Sequence, residues 1–165
     1  MRTAQVLLVA GLFGVIGVDS VYAQRDTGAT LTAQDYAEIG QLYAQINHGG
    51  DFRDADLWLS AFTDDAVFTI ARGPGVEIAG KEALTEWRHA SFRGQTGDSK
   101  VRHWDGPPRL TPTARGTRGR SYFIVYDVSG KQPTISSSGY HDDVFMKTAK
   151  GWRLKSRKVS FDAAP

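Results

Sequence analysis

Ser137 to Lys147 reads SSGYHDDVFMK, and its reading decides how the second half of the chain is built. Tyr140, Val144, Phe145 and Met146 suit a half-buried pleated surface, so the segment is a strand. Strand residues alternate between faces, so His141-Asp142-Asp143 cannot all point one way. Asp142 falls with Tyr140, Val144 and Met146. Asp143 falls with His141, Phe145 and Lys147. Alternation alone leaves open which set faces inward.

Around this strand the second half is extended. Lys100 to Trp104 leads into Pro107-Pro108, which forces an edge, bulge or break. Ser121 to Val128 is aromatic and β-branched, Thr134 to Thr148 is long, and Ala149-Lys150-Gly151 turns the chain into Trp152 to Phe161. The first half is helical. Thr32 and Asp35 approximate a capping box, with Leu31 and Tyr36 as its hydrophobic staple. Tyr36, Ile39, Tyr43 and Ile46 form an apolar stripe, and Asn47-His48-Gly49-Gly50 is the expected end. A shorter helix starts at Asp54, with Leu57, Trp58, Ala61 and Phe62 inward. FTDDAVFTI turns into a strand, and GKEALTEWRHA begins a third helix after Gly80. Helices followed by antiparallel strands make an α+β domain.

The N-terminus carries Arg2, an apolar run from Val6 to Val18, then Val21 and Ala23 where a signal peptidase reads. A bilayer span needs about 20 apolar residues, so residues 1–23 are expected to be a cleaved export signal. Residues 24–30 form a loose tail and 31–162 one domain; the mature protein is periplasmic or secreted and leaves the membrane. There is no cysteine, so neither disulfides nor thiolate metal sites contribute. The net charge is +2, which argues against a polyanion-binding protein, and no nucleic-acid partner is expected. Arg109, Arg115, Arg118 and Arg120 make a local basic excess, read as a solvated or dimer face, with an anion site for a carboxylated ligand as the alternative.

FTDDAVFTI, GKEALTEWRH, VRHW, GYHDDVF and GWRLKSRKV, in that order, resemble the SnoaL-like branch of the nuclear transport factor 2-like superfamily over Leu31 to Phe161. The resemblance implies a cone: three N-terminal helices packed on a curved antiparallel sheet, with an apolar pocket for a small organic molecule, often in a homodimer. Members include polyketide cyclases, scytalone-dehydratase-like enzymes and ketosteroid isomerases, so the fold does not name the function. It also implies that Tyr140, Asp142 and Val144 face the pocket while His141 and Asp143 face out.

On that alignment His103 stands where the dehydratase-like members place a pocket histidine, and Asp142 is its expected acidic partner. Both have a structural alternative: a histidine bonded to backbone, and a salt bridge from Asp142 to Arg153 or Arg157. In the enzyme reading His103 and Asp142 move protons while Tyr43 and Tyr140 hold a developing oxyanion. Asn47, Trp58, Phe68 and Val144 complete the ligand-binding set. The family's aspartate at the end of the first helix is replaced by Asn47, which cannot act as a base; Asp51, four residues on, would have to reach in. The family's second sheet histidine has no match in SYFIVYDV. No short-spaced histidine pair suggests a metal, and no glycine-rich loop followed by Lys-Ser or Lys-Thr suggests a phosphate. The expectation is a cofactor-free isomerase, cyclase or dehydratase acting beside a carbonyl. The alternative is a binding or assembly module without turnover.

Overall fold

Thr32 opens the first helix as expected: its hydroxyl accepts the Asp35 N–H, and the Asp35 carboxylate accepts the Thr32 N–H at 2.8 Å. The computed structural model describes residues 30–95 and 99–162. The expected export signal, 1–23, and the tail up to residue 29 lie outside the described residues. Helix α1 (Ala33–Asp51) buries Asp35, Ile39, Leu42, Tyr43 and Ile46. Tyr36, expected on that stripe, is exposed. Asp35 can be buried because Lys147 Nζ and Trp152 Nε1 both donate to its Oδ1, at 2.7 and 2.8 Å.

The first helix does not stop at Asn47–Gly50. It continues to Asp51, and Gly49 serves packing instead of termination: a Cβ there would stand 2.6 Å from the Trp58 backbone nitrogen. Helix α2 (Ala55–Ser60), capped by the Asp54 side chain on the Leu57 N–H, lies against that glycine. Strands β1 (Phe62–Ala71) and β2 (Val76–Ala79) follow, then α3 (Lys81–Phe92), which starts after Gly80 at φ +84°. The remaining chain is β3 (Val101–Asp105), β4 (Arg109–Thr113), β5 (Gly116–Asp127), β6 (Thr134–Thr148) and β7 (Gly151–Phe161).

The seven strands form one curved, unclosed sheet in the order β2-β1-β7-β6-β5-β3, with β4 also on β5. Pro107 and Pro108 fall between β3 and β4, so two short strands share the edge of the long β5, one on each half. The sheet expected to be antiparallel contains one parallel pair, β1 with β7. Helix α1 lies across the concave side, where Ile39, Leu42, Phe145 and Leu154 are almost wholly buried.

The faces of β6 are the reverse of those the resemblance implied. His141, Asp143 and Phe145 are buried, while Tyr140, Asp142 and Val144 lie on the convex outer face. Strand register supplies the physical reason, because facing residues on neighbouring strands share a side. Asp143 faces Arg157 of β7, which neutralises it inside; Asp142 faces Arg120 of β5, which pairs with it outside, and Lys158 of β7 on its other side. Phe145 fixes the choice by packing, fully buried, beside the Tyr43 ring.

Candidate functional site

A cavity of about 350 Å³ opens between the end of α1, helix α3 and the concave face of the sheet. Its apolar wall includes Trp58, Phe68, Trp87, Phe123 and Val125. Trp58 and Phe68 line it in edge contact, with a 5.4 Å ring separation. Asn47, His103, His141 and Arg157 line the same cavity. Among the described residues no group of three His, Cys, Asp or Glu side chains converges to hold a metal ion. None of their helices is long and apolar enough to cross a membrane.

His103, on β3, is held by the last residue of α1. Asp51 Oδ1 lies 2.6 Å from its Nδ1, and Asp51 Oδ2 accepts its backbone N–H at 2.9 Å. The Asp51 side chain is 4% exposed and that of His103 is 38% exposed. An ionised carboxylate accepting from Nδ1 puts the neutral ring's proton there and leaves Nε2 as the basic nitrogen. Asp51, not Asn47, is the α1 side chain that meets His103.

Asn47 lies one helical turn before Asp51 and donates its amide to Asp105 Oδ2 at 2.9 Å. Asp105 Oδ1 is 3.2 Å from His141 Nε2, at ion-pair distance. Neither that oxygen nor His141 Nδ1 has a well-aligned hydrogen-bond partner among the described residues. Burial, with help from the Arg157 charge, pushes the His141 pKa down, so the ring is neutral near pH 7. Burial also works against the Asp105 anion, but contacts with His141, Arg157 and Asn47 outweigh it and hold the carboxyl below its usual range. The ring stacks on Phe123 at 4.7 Å.

At the cavity floor lies a buried ion pair. Arg157 donates Nε and Nη2 to Asp143 at 2.9 and 2.8 Å, and the Tyr43 hydroxyl donates to the same carboxylate at 2.6 Å. Burial opposes the Arg157 charge, yet Asp143 more than restores it, so the guanidinium stays charged. The Tyr43 phenol is pushed up by burial and by Asp143, so it stays protonated. Tyr43 is thus committed to Asp143 and is not among the residues lining the cavity.

The other expected site residues lie elsewhere. Asp142 accepts from Arg120 Nε at 2.7 Å on the outer face, and the Arg120 guanidinium sits 5.0 Å from the Tyr140 ring. Val144 shares that face with them. Asp51, Asp105, His141 and Arg157 stand in their place. A signal for Asp51 existed: it follows Asn47 by four residues, the spacing that puts both on one helix face. Nothing local marks Asp105 or Arg157, whose partners come from other elements: Asn47 of α1 and His141 of β6 for the first, Asp143 of β6 for the second.

A family model described as a SnoaL-like domain matches residues 31–158. A search of curated proteins found no match. Among solved structures, a protein of unknown function with a cystatin-like fold from Nostoc punctiforme is 24% identical, with 82% of this chain and 97% of that one covered at a TM-score of 0.70. ActVI-ORFA from Streptomyces coelicolor is 24% identical, covering 77% and 96% at a TM-score of 0.65. LinA is 20% identical, covering 79% and 87% at a TM-score of 0.64. At these identities the likeness is one of fold.

Proposed function

This chain belongs to the SnoaL-like domain family, and from that premise we propose that it is a cofactor-free acid–base enzyme in which His103 takes a proton from carbon beside a carbonyl. The observation that carries the reading is the Asp51–His103 pair: a buried carboxylate fixes the ring while the imidazole lines the cavity. A base must reach the proton it removes and present a lone pair to it. Nε2 meets the second requirement because Nδ1 is committed to Asp51.

The substrate is a small, mainly apolar cyclic ketone or polyketide-like molecule, matched to the aromatic wall. His103 Nε2 accepts the proton, and the electron pair of the broken C–H bond moves toward the carbonyl oxygen. Asn47 and Arg157 are the cavity donors suited to that oxygen, since Nη1 of Arg157 is the guanidinium nitrogen that Asp143 leaves unengaged. The imidazolium, stabilised by Asp51, then returns the proton to a different carbon in an isomerisation or to a leaving hydroxyl in a dehydration. The buried Asp143–Arg157 pair alone would have suited a binding module; the Asp51–His103 pair, which leaves Nε2 unengaged by Asp51, favours turnover.

5-Nitrobenzisoxazole tests the reading, because removal of its C3 proton breaks the N–O bond and releases a coloured phenolate. Saturable turnover is expected, falling by about 100-fold or more in His103→Ala. Equal rates for wild type and His103→Ala would overturn it.

We also read residues 1–23 as an export signal, so that the reaction takes place outside the cytoplasm; an intact mass beginning at Gln24 would support this. Homodimerisation through the outer sheet face fits the exposed Trp104 and Tyr122. Light scattering of the purified protein tests that part.

A further inference from the structure

We propose that Arg88 is an anion-binding residue of the cavity, and that the substrate carries a carboxylate seated on its guanidinium. This deepens the acid–base reading of the same cavity and rests on it for the identity of the ligand as a substrate.

Helix α3 turns Leu84, Trp87, Arg88, Ser91 and Phe92 inward at steps of three and four, the spacing of one helix face. All but Leu84 line the cavity. An arginine in that row is anomalous, because a charge withdrawn from water needs a partner. The remaining buried charges have theirs: Asp35 has Lys147, Asp51 has His103, and Asp143 has Arg157. Arg88 has aromatic faces instead. Its guanidinium carbon lies 4.3 Å from the Trp58 ring centre, 4.6 Å from Phe92 and 5.4 Å from Trp87. Its Nε is buried with no hydrogen-bond partner, and no carboxylate oxygen lies within 4 Å of the group among the described residues.

Cation–π contact offsets part of the desolvation but gives the N–H donors no acceptor. The guanidinium keeps its charge at neutral pH, since burial brings its pKa down only to about 10. Asp51 is close enough to favour that charge, but both its oxygens already serve His103. Room for the group is left by Gly50, where a Cβ would stand 3.1 Å from Arg88 Nη2. A planar fork among aromatic rings, in the cavity that His103 also lines, matches a carboxylate, which accepts two parallel N–H bonds. The cavity lies near the small end of the ligand-pocket range, about 300–1,000 Å³, so the ligand is a small cyclic or aromatic acid.

Isothermal titration with 1-naphthoate and its neutral isostere 1-naphthamide decides the matter. Wild type is expected to bind the acid about tenfold or more tightly than the amide, the scale of a charge-assisted bidentate contact. Arg88→Met should erase the preference, and Arg88→Lys should retain only part of it. Amide binding in each variant reports an intact cavity. Equal binding of acid and amide by wild type, binding of neither, or a preference that survives Arg88→Met would overturn the proposal. His103→Ala separates the two readings: a preference for the acid with no His103-dependent turnover of 5-nitrobenzisoxazole would keep the carboxylate seat and sink the enzyme.

Discussion

His103 and Asp51 meet twice, through ring Nδ1 at 2.6 Å and through the His103 backbone N–H at 2.9 Å. The double contact fixes both ring position and tautomer. Asp51→Asn keeps the shape, but its amide nitrogen donates to Nδ1 and moves the ring proton to Nε2, where the lone pair is needed. Turnover of 5-nitrobenzisoxazole should fall by about 10²–10⁴-fold with KM little changed and the far-ultraviolet spectrum intact. Activity within about threefold of wild type would show that the tautomer is irrelevant to the rate.

Asp142 and Asp143 are adjacent in sequence and opposite in consequence. The Asp142 side chain is 40% exposed and paired with an exposed Arg120, while the Asp143 side chain is fully buried against Arg157. Asp142→Asn should cost less than about 1 kcal/mol in urea unfolding and leave turnover unchanged. Asp143→Asn strands the Arg157 charge and should cost about 3–5 kcal/mol. A larger cost for Asp142→Asn than for Asp143→Asn would mean that the faces of β6 are assigned the wrong way round.

Most of the architecture was legible in periodicity. The capping box at Thr32, the helix after Gly80 and the full span of β6 came from short-range rules that do not depend on distant partners. The faces of β6 were not legible, because alternation says which residues share a side and not which side is inside. That choice rests on Arg157 and Asp105, contributed by other strands, and on Phe145 meeting the first helix. Asp51 was obscured for a related reason. Gly49-Gly50 reads as a helix stop unless Trp58 is known to pass so close to Gly49 that no side chain fits. Arg88 carried no signal at all: an arginine on a helix is ordinary until its face is known to be the inner one.

Acid should loosen the molecule in two steps with the same sign. Burial holds the His141 pKa below 6.5, so at pH 5–6 the unfolded chain takes up a proton that the folded ring refuses. Stability is then unaffected by this group above about pH 7 and falls as the pH drops through its unfolded pKa of about 6.5. The Asp105 pKa is held below 3.8, so its contribution is complete above that pH and is lost as the pH falls through the folded value. Thermal melts of wild type should therefore decline from pH 7 to pH 5. His141→Gln should flatten that decline, and parallel slopes for the two proteins would exclude His141 as its source.

The glycines of the first helix should respond in opposite directions to the same change. A Cβ at Gly40 meets nothing within 4 Å, so Gly40→Ala lowers the entropy of the unfolded chain at no cost in packing. It should stabilise by about 0.5–1 kcal/mol. A Cβ at Gly49 would stand 2.6 Å from Trp58 N and 2.8 Å from Trp58 Cα, backbone atoms that no rotamer change can move away. Helix α2 must then shift, carrying Trp58 out of the cavity wall, and Gly49→Ala should destabilise by about 1–3 kcal/mol. Because Asp51 is only two residues further along the same helix, the displacement should also weaken its hold on His103 and lower turnover. Urea unfolding of the two variants beside wild type provides the comparison. Stabilisation by Gly49→Ala would mean that this glycine is a helix weakener and that Trp58 has room to spare.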